Sequence, residues 1–332
     1  MHPFTLERPS DIATALGFGA QAGRNDATTE YIAGGTDMVQ LLQENVRRPE
    51  RLVSLAGLLD STIEVGQQGL RMGAGATMAE VAAHQDVIEH FPVISEALLN
   101  SASPQVRNQA TMGGNLLQRT RCPYFRDVGY EACNKRSPGS GCAAMDGENR
   151  WHAVLGTSEQ CIAANPSDLA VALVALDASL ELRGIGKQRI VPLADFHRLP
   201  GDSPHIETVL EPGEVIAAVT VPASPAARRS HYLKVRDRAS FEFALVSVAV
   251  ALDMAGDRIR QAGIALGGVG TKPWRVPQVE AALACARLDP AALRPAAALA
   301  AEGARGRGHN GFKIELMQRA IVRAVETAGA RA

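Results

Sequence analysis

Short apolar runs alternate along this chain with breaks centred on glycine. Between Tyr31 and Val46 a strand end stops at Gly34 and Gly35. Met38, Val39, Leu41, Leu42 and Val46 then recur at helical spacing, so the stretch predicts a strand, a Gly-Gly turn and a helix. "RLVSLAGL" and "STIEVGQQGLRMGAGATMAEVAAH" predict short strands, a turn at Gly66 to Gly69 and a further helix. A second double-glycine turn, Gly113 and Gly114, lies in "NQATMGGNLLQ". From about Cys122 to Arg150 the apolar period disappears and Gly, Pro, Asn, Lys and Arg dominate. An irregular segment of that length in a compact protein points to function or disorder. Regular structure resumes at "PSDLAVALVALDASLEL", where Pro166 and Ser167 precede a helix that feeds an apolar strand.

Residues 221–230, "VPASPAARRS", read as a linker. Beyond it "FALVSVAVALDMAGDRIRQAGIALGGVG" predicts two strands joined at Gly256 and Asp257, and the alanine-rich tail from Val276 to Ala332 has helical spacing. The division expected is residues 1–226, carrying a cysteine-bearing loop at about 119–163, and residues 227–332. The fold class expected is α+β. A chain of 332 residues that is 46% apolar has material for two or more packed lobes.

A formal charge of -1 and a pI near 6.7 lack the basic concentration that nucleic acids and anionic membranes attract. Small molecules and proteins are the partners expected. The N-terminus has acidic residues and no apolar core of signal-peptide length, and no long uncharged apolar run follows. These features predict synthesis in the cytoplasm without a signal of its own, and no membrane insertion.

The candidate chemistry begins with the two glycine turns. Without a Cβ, glycine lets a ligand approach the backbone, and a turn opening a helix aims free N–H groups at an anion. "AGGTD" and "TMGGN" both carry this pattern, and a diphosphate needs several such donors. Thr36 offers a hydroxyl to a phosphate or to the helix as a cap; Asp37 suits a ribose, a water or the helix start. Neither turn is a G-x-G-x-x-G fingerprint or a P-loop. No H-E-x-x-H or G-x-S-x-G set occurs, the histidines lack metal-ligand spacing, and "EPGE" reads as a turn, so no catalytic residue is assigned.

Four of the five cysteines, Cys122, Cys133, Cys142 and Cys161, fall in the irregular segment and its exit, separated by ten, eight and eighteen residues. Cys285 in "EAALACARL" is expected on a helix, packed as a small hydrophobe. Disulfides are disfavoured without a secretion signal, although export within a complex bypasses that objection. Structural zinc favours close C-x₂-C pairs, which are missing here, whereas an iron–sulfur cluster accepts four thiolates from a loop folded around it. Spacing alone leaves zinc and a cluster nearly level.

"YIAGGTDMVQLL", then "RNQATMGGNLLQ", "PSDLAVALVALDASLEL" and "HYLKVRDRASFEFALVSVAVAL", in that order over nearly the whole chain, resemble the FAD-binding subunits of the xanthine dehydrogenase or molybdenum hydroxylase family. The resemblance implies a two-lobed FAD-binding domain of the p-cresol methylhydroxylase type and a C-terminal domain like that of the carbon monoxide dehydrogenase flavoprotein. Ala33, Gly34, Gly35, Thr36 and Asp37, with Thr111, Gly113, Gly114 and Asn115, would line the FAD pyrophosphate. Asp168 would lie near the ribityl or adenosine portion and Lys234 near the isoalloxazine edge. Phe196 or Leu199 would cover the ring.

A flavin neighbour gives a redox cluster something to exchange electrons with, which favours iron over zinc. The cysteine segment resembles the [4Fe–4S] loop found in subunits of 4-hydroxybenzoyl-CoA reductase and, more closely, of bacterial periplasmic aldehyde oxidoreductase. Cys122, Cys133, Cys142 and Cys161 would then be cluster ligands. Gly139, Ser140 and Gly141 would wrap the cluster and donate N–H groups to it, and Arg121, Arg126, Lys135 and Arg136 would offset its charge.

The family implies a heterotrimeric aldehyde oxidoreductase. A large partner would bear the molybdenum cofactor, a small partner would bear [2Fe–2S] clusters, and FAD on this chain would pass electrons to an external acceptor. A signal-bearing partner would carry the folded complex to the periplasm. The alternatives are a stand-alone flavin oxidoreductase of the same fold, like the UDP-sugar reductases, the FAD subunit of another molybdenum hydroxylase, or a zinc-bearing assembly protein.

Overall fold

The computed structural model describes residues 1–20 and 29–331. Three sheets organise them, and each is built where the apolar pattern has strand period. The first is small and parallel, with β1 (Thr5–Glu7) and β2 (Thr29–Ile32) flanking β3 (Arg51–Ser54). The second has five strands: β4 (Ile63–Gly66), β5 (Gly69–Gly73), β6 (Ser179–Gly184), β7 (Lys187–Pro192) and β8 (Val215–Pro222), in the order β4-β5-β8-β6-β7. All its pairings are antiparallel. The third contains β9 (Ser230–Val235), β10 (Val246–Ala255), β11 (Arg258–Gly267) and β12 (Trp274–Arg275), in the order β12-β11-β10-β9. With the helices packed on them they give the α+β architecture expected.

Each sheet has its own core. Ala15, Leu16, Val53, Leu55 and Val215 fill the first lobe. The second lobe packs Met72, Ile94, Leu98, Leu173 and Val219 around the five-stranded sheet and the helix Asp168–Ala175. The third core joins β10 and β11 to the helix Phe312–Gly329, whose buried positions include Met317, Ile321, Ala324 and Ala328.

Alternation along β10 connects the second and third cores. Val246, Val248, Val250 and Leu252 face the C-terminal core, while Ala249 and Ala251 face the helix Asp168–Ala175. The small residues have a steric cause, because the helix lies very close to this face. A Cβ on Gly263 would fall 2.2 Å from the Ala175 carbonyl oxygen, and one on Gly267 would fall 2.6 Å from Val171. The two strands are buried on both faces and hold the lobes together.

Two expectations change. Residues 221–230 are not a loose linker: β8 runs through Pro222, and a turn of helix, Pro225–Arg228, buries Ala226 and Ala227. Small side chains there serve packing as well as turning. Cys285 is also misplaced by its alanine-rich context. The helix Pro277–Leu283 ends before it, and Cys285 sits exposed at φ +65°. Its N–H instead donates to the Ile259 carbonyl at 2.8 Å.

The segment from Cys122 to Arg150 is irregular apart from the helical turn Pro123–Arg126. It is nonetheless ordered by the domains around it. Lys135 donates to the Pro204 carbonyl at 2.9 Å, Arg150 to Asp237 at 2.9 Å, and the His309 N–H to Asn149 Oδ1 at 2.8 Å; just beyond the segment, Val154 and Leu155 both donate to the Val269 carbonyl. Among the described residues no helix is long and apolar enough to cross a membrane.

Candidate flavin cleft and cysteine loop

The turn after β2 has unused donors. Among the described residues the N–H groups of Gly34, Gly35, Thr36 and Asp37 find no acceptor in the protein. Gly35 turns the chain at φ +74°. Gly34 presses on the neighbouring turn so closely that a Cβ would stand 1.8 Å from the Gln109 carbonyl oxygen. Only glycine lets the two turns meet.

The second turn differs in chemistry from the first. Met112 donates to Ala76, Gly113 to Ala74, and Asn115 to the Thr111 carbonyl. Thr111 caps the helix Met112–Leu116 by accepting from Gly114 at 3.2 Å. Its N–H groups are therefore spent inside the fold, and "TMGGN" contributes closeness in place of free donors. Asn115 is buried, and its Oδ1 accepts from Ser167 Oγ at 2.7 Å.

Two clefts of about 360 Å³ each meet at these turns. One is apolar and runs over Ala33, Gly34, Gly35, Thr111 and Gly113 toward Val215 and Ile216. The other contains Asn115, Asp168, Lys234, Phe241 and Phe243. Thr36, Asp37 and Gly114 line both. The eleven residues expected at the cofactor are thus distributed along one continuous groove.

Asp37 is committed to arginine and not to a ribose. Its carboxylate accepts from the Arg119 N–H at 2.8 Å and from Arg126 Nη2 at 2.6 Å, and pairs with Arg121 at 2.9 Å. It fastens the first turn to the start of the cysteine loop. At the far end, Asp168 opens the helix Asp168–Ala175 and accepts from Lys234 Nζ at 2.7 Å, Tyr232 Oη at 2.6 Å and Ser101 Oγ at 2.9 Å. Burial, with the Asp168 charge, raises the Tyr232 phenol well above its ordinary range. The Lys234 side chain is only 2% exposed, unlike the solvated strand lysine its type suggests.

Neither candidate for ring cover lies in this groove. Phe196 is fully buried in the second core, and exposed Leu199 lies against Gly156. The groove is instead bordered by Phe241 and Phe243, which a reading of glycine motifs missed. Phe241 holds φ +51°, as does Ala102 in the same cleft. A left-handed aromatic residue is rare enough to mark a functional segment. The phrase "SFEF" carries no such signal on its own.

In the cysteine loop all four thiols are free. Cys133 and Cys142 face each other across an antiparallel bridge. Cys122 joins Cys133 beside Leu41 and Phe125, and joins Cys142 beside Tyr124, Ala144 and Ile162. The thiols are near enough to act on one another: Cys122 feels Cys161 and Cys133, and Cys161 feels Cys142 and Cys133.

Burial pushes the Cys122 thiol up to about 12 and the Cys161 thiol up to about 11, and raises Cys142. Backbone N–H groups of Phe125, Ala163 and Ala144 oppose this at the three sulfurs. Among the described residues no group of three or more His, Cys, Asp or Glu side chains is placed to hold a metal ion.

The basic residues expected to neutralise a cluster have other partners. Arg121 and Arg126 hold Asp37, Lys135 pairs with Glu207 at 2.7 Å, and Arg136 donates to the Tyr124 and Phe125 carbonyls. The glycine wrap is also internally bonded, with Ser140 N–H on the Ser137 carbonyl and Gly141 N–H on Asn134. Gly139 and Gly141 both turn the chain at positive φ. His152, one of the histidines without metal-ligand spacing, is buried with Nε2 3.1 Å from Cys122 Sγ. Burial and the nearby Lys313 charge push its imidazole down to about 4, so it is neutral at neutral pH.

Known proteins resemble this chain in sequence and fold. Residues 2–224 match the family model described as the FAD binding domain in molybdopterin dehydrogenase, and residues 231–328 match the CO dehydrogenase flavoprotein C-terminal domain. The aldehyde oxidoreductase FAD-binding subunit PaoB of Escherichia coli K12 is 49% identical over 285 residues, covering 85% of this chain and 86% of that protein. The carbon monoxide dehydrogenase medium chain of Afipia carboxidovorans is 27% identical, covering 99% and 98%. A crystal structure of the cyanide-inactivated Cu,Mo-CO dehydrogenase superposes with a TM-score of 0.76 at 25% identity, over all of both chains.

Proposed function

The chain belongs to the FAD-binding subunits of the molybdopterin dehydrogenase family, and from that premise we propose that it is the electron-transfer flavoprotein of a heterotrimeric molybdenum-dependent aldehyde oxidoreductase. The observation that carries the reading is the groove whose centre offers four unpartnered N–H groups and whose far end holds a buried Asp168–Lys234 pair. The likeness to the Escherichia coli aldehyde oxidoreductase subunit supports the choice of aldehyde.

The residues fit FAD. The N–H groups of Gly34 to Asp37 would receive the diphosphate, and Gly34 brings the second turn up against the first. The apolar cleft toward Val215 and Ile216 suits one flat end of the dinucleotide. Bound there, FAD supplies the ability to take electrons singly and return one or two. Lys234 lines the other cleft, donating to Asp168 and to the Asn100 carbonyl, while Tyr232 and Ser101 donate to Asp168 and hold the pair. Phe241 and Phe243 border the same end.

The four thiols support a [4Fe–4S] site beside this groove. Buried thiols resist ionisation until iron stabilises the thiolates, and N–H groups already aim at three of the sulfurs. A cubane also places its ligands at corners, farther apart than those of one ion. A cluster there would supply a one-electron relay. Oxidation of substrate at molybdenum, and electron delivery through [2Fe–2S] centres, would fall to the large and small partners. An external acceptor would take the electrons from this chain.

Anaerobic purification of the chain with and without its partners tests the reading. The chain purified without its partners is expected to hold about four iron and one FAD. Zinc in place of iron sinks the cluster, and aldehyde turnover by the isolated chain sinks the subunit role.

A further inference from the structure

His152 meets a candidate cluster ligand through one ring nitrogen and nothing through the other. Nε2 lies 3.1 Å from Cys122 Sγ, while Nδ1 is buried without a partner among the described residues. Two arrangements of protons allow the short contact. If Cys122 donates S–H to Nε2, the ring proton sits on Nδ1 and becomes a buried donor with no acceptor. If Nε2–H donates to sulfur, Nδ1 is left as an unused acceptor. Orphaned buried donors are the rarer and costlier of the two. Loss of the thiol proton on binding iron removes the first arrangement altogether.

The ring is held for this task. The His152 N–H donates to the Asn149 carbonyl at 2.9 Å, and its carbonyl accepts from Lys313 Nζ at 3.1 Å. Lys313 is fully buried and also donates to the Gly268 carbonyl at 2.8 Å, so the C-terminal domain fixes the histidine backbone. Tyr124 packs beside the imidazole with ring centroids 6.2 Å apart.

We propose that His152 is a positioning residue that donates Nε2–H to the Cys122 sulfur and thereby raises the reduction potential of the cluster. The proposal rests on the [4Fe–4S] reading above. An N–H donor at a ligating sulfur favours the state with more negative charge, which is the reduced one. Among the described residues it makes the only side-chain hydrogen-bond contact to one of the four sulfurs; the other such donor is the Ala163 backbone N–H.

The test uses the whole complex, purified anaerobically, with iron content measured before a potentiometric titration followed by electron paramagnetic resonance. His152→Leu is expected to keep its iron and shift the cluster potential downward, and His152→Gln, whose amide restores an N–H, to recover part of the shift. Pulsed resonance of wild-type complex labelled with ¹⁵N at histidine should find a histidine nitrogen coupled to the reduced cluster. Full iron with an unchanged potential in His152→Leu overturns the proposal. If that variant loses its cluster, the wild-type histidine-nitrogen coupling decides, and its absence overturns the proposal. Wild-type chain that holds no iron when purified without its partners overturns the cluster reading itself, a failure identified separately because the partners' [2Fe–2S] iron is absent from that sample.

Discussion

Gly34 and Gly66 show how differently two glycines behave at the scale of one residue. A Cβ at Gly34 would strike the Gln109 carbonyl, whereas a Cβ at Gly66 meets nothing within 4 Å. Gly34→Ala should separate the two turns and yield protein depleted of FAD, while Gly66→Ala keeps the wild-type flavin content. Flavin absorbance per chain checks both, and normal occupancy in Gly34→Ala would sink the placement of the diphosphate.

The ion pair makes a second prediction at this scale. Asp168→Ala leaves the Lys234 ammonium buried and unpaired, which should cost about 3–5 kcal/mol. Asp168→Asn combined with Lys234→Met should cost much less. Thermal melts of the flavin-free variants distinguish these outcomes. The motif "PSDLA" made Asp168 legible, but its charge partner was legible only as a lysine of uncertain exposure, because burial is set by the packing of β9 against distant chain.

At the scale of an element, the cysteine loop has almost no secondary structure and takes its order from neighbours. Its thiols predict a specific reactivity in the iron-free chain. Burial keeps Cys122 and Cys161 protonated at pH 8, since their ionisation moves up to about 12 and 11 from the ordinary 9.0. Exposed Cys285 should therefore be alkylated first, with Cys122 and Cys161 following only as the pH approaches those values. Peptide mass spectrometry after brief alkylation at pH 8 and pH 10 measures the order; equal labelling at pH 8 would refute the buried-thiol account.

The loop's irregularity was legible from the lost apolar period, and the helix Asp168–Ala175 from its regained one. The use of the loop's charges was not. Arg121 and Arg126 look like neutralising residues in sequence, yet they bind Asp37, some eighty residues earlier in the chain. Cys285 illustrates the same limit in reverse, because an alanine-rich setting conceals a helix end that the contact with β11 imposes.

For the whole molecule, the groove is lined by both lobes and the C-terminal domain. A ligand bridging them should stabilise all three together. FAD added to flavin-free protein at about 100 times its Kd should contribute roughly 2.7 kcal/mol. The melting midpoint should rise with FAD concentration, with tryptophan fluorescence and circular dichroism moving together. A midpoint independent of FAD would contradict the bridging groove.

The sequence by itself determined the kind of molecule this is: its α+β class, two glycine turns, the acidic helix start and the four cysteines all follow from local residue order. Local order suffices because turns, caps and strand periods are fixed by interactions within a few residues. Tertiary structure alone decided which of those groups remain available. It spent the N–H groups of the second turn, left those of the first free, gave Asp37 to arginine, and put His152 against Cys122. Each of these outcomes depends on which buried donor meets which acceptor across long stretches of chain, and that pairing exists only once the lobes have packed.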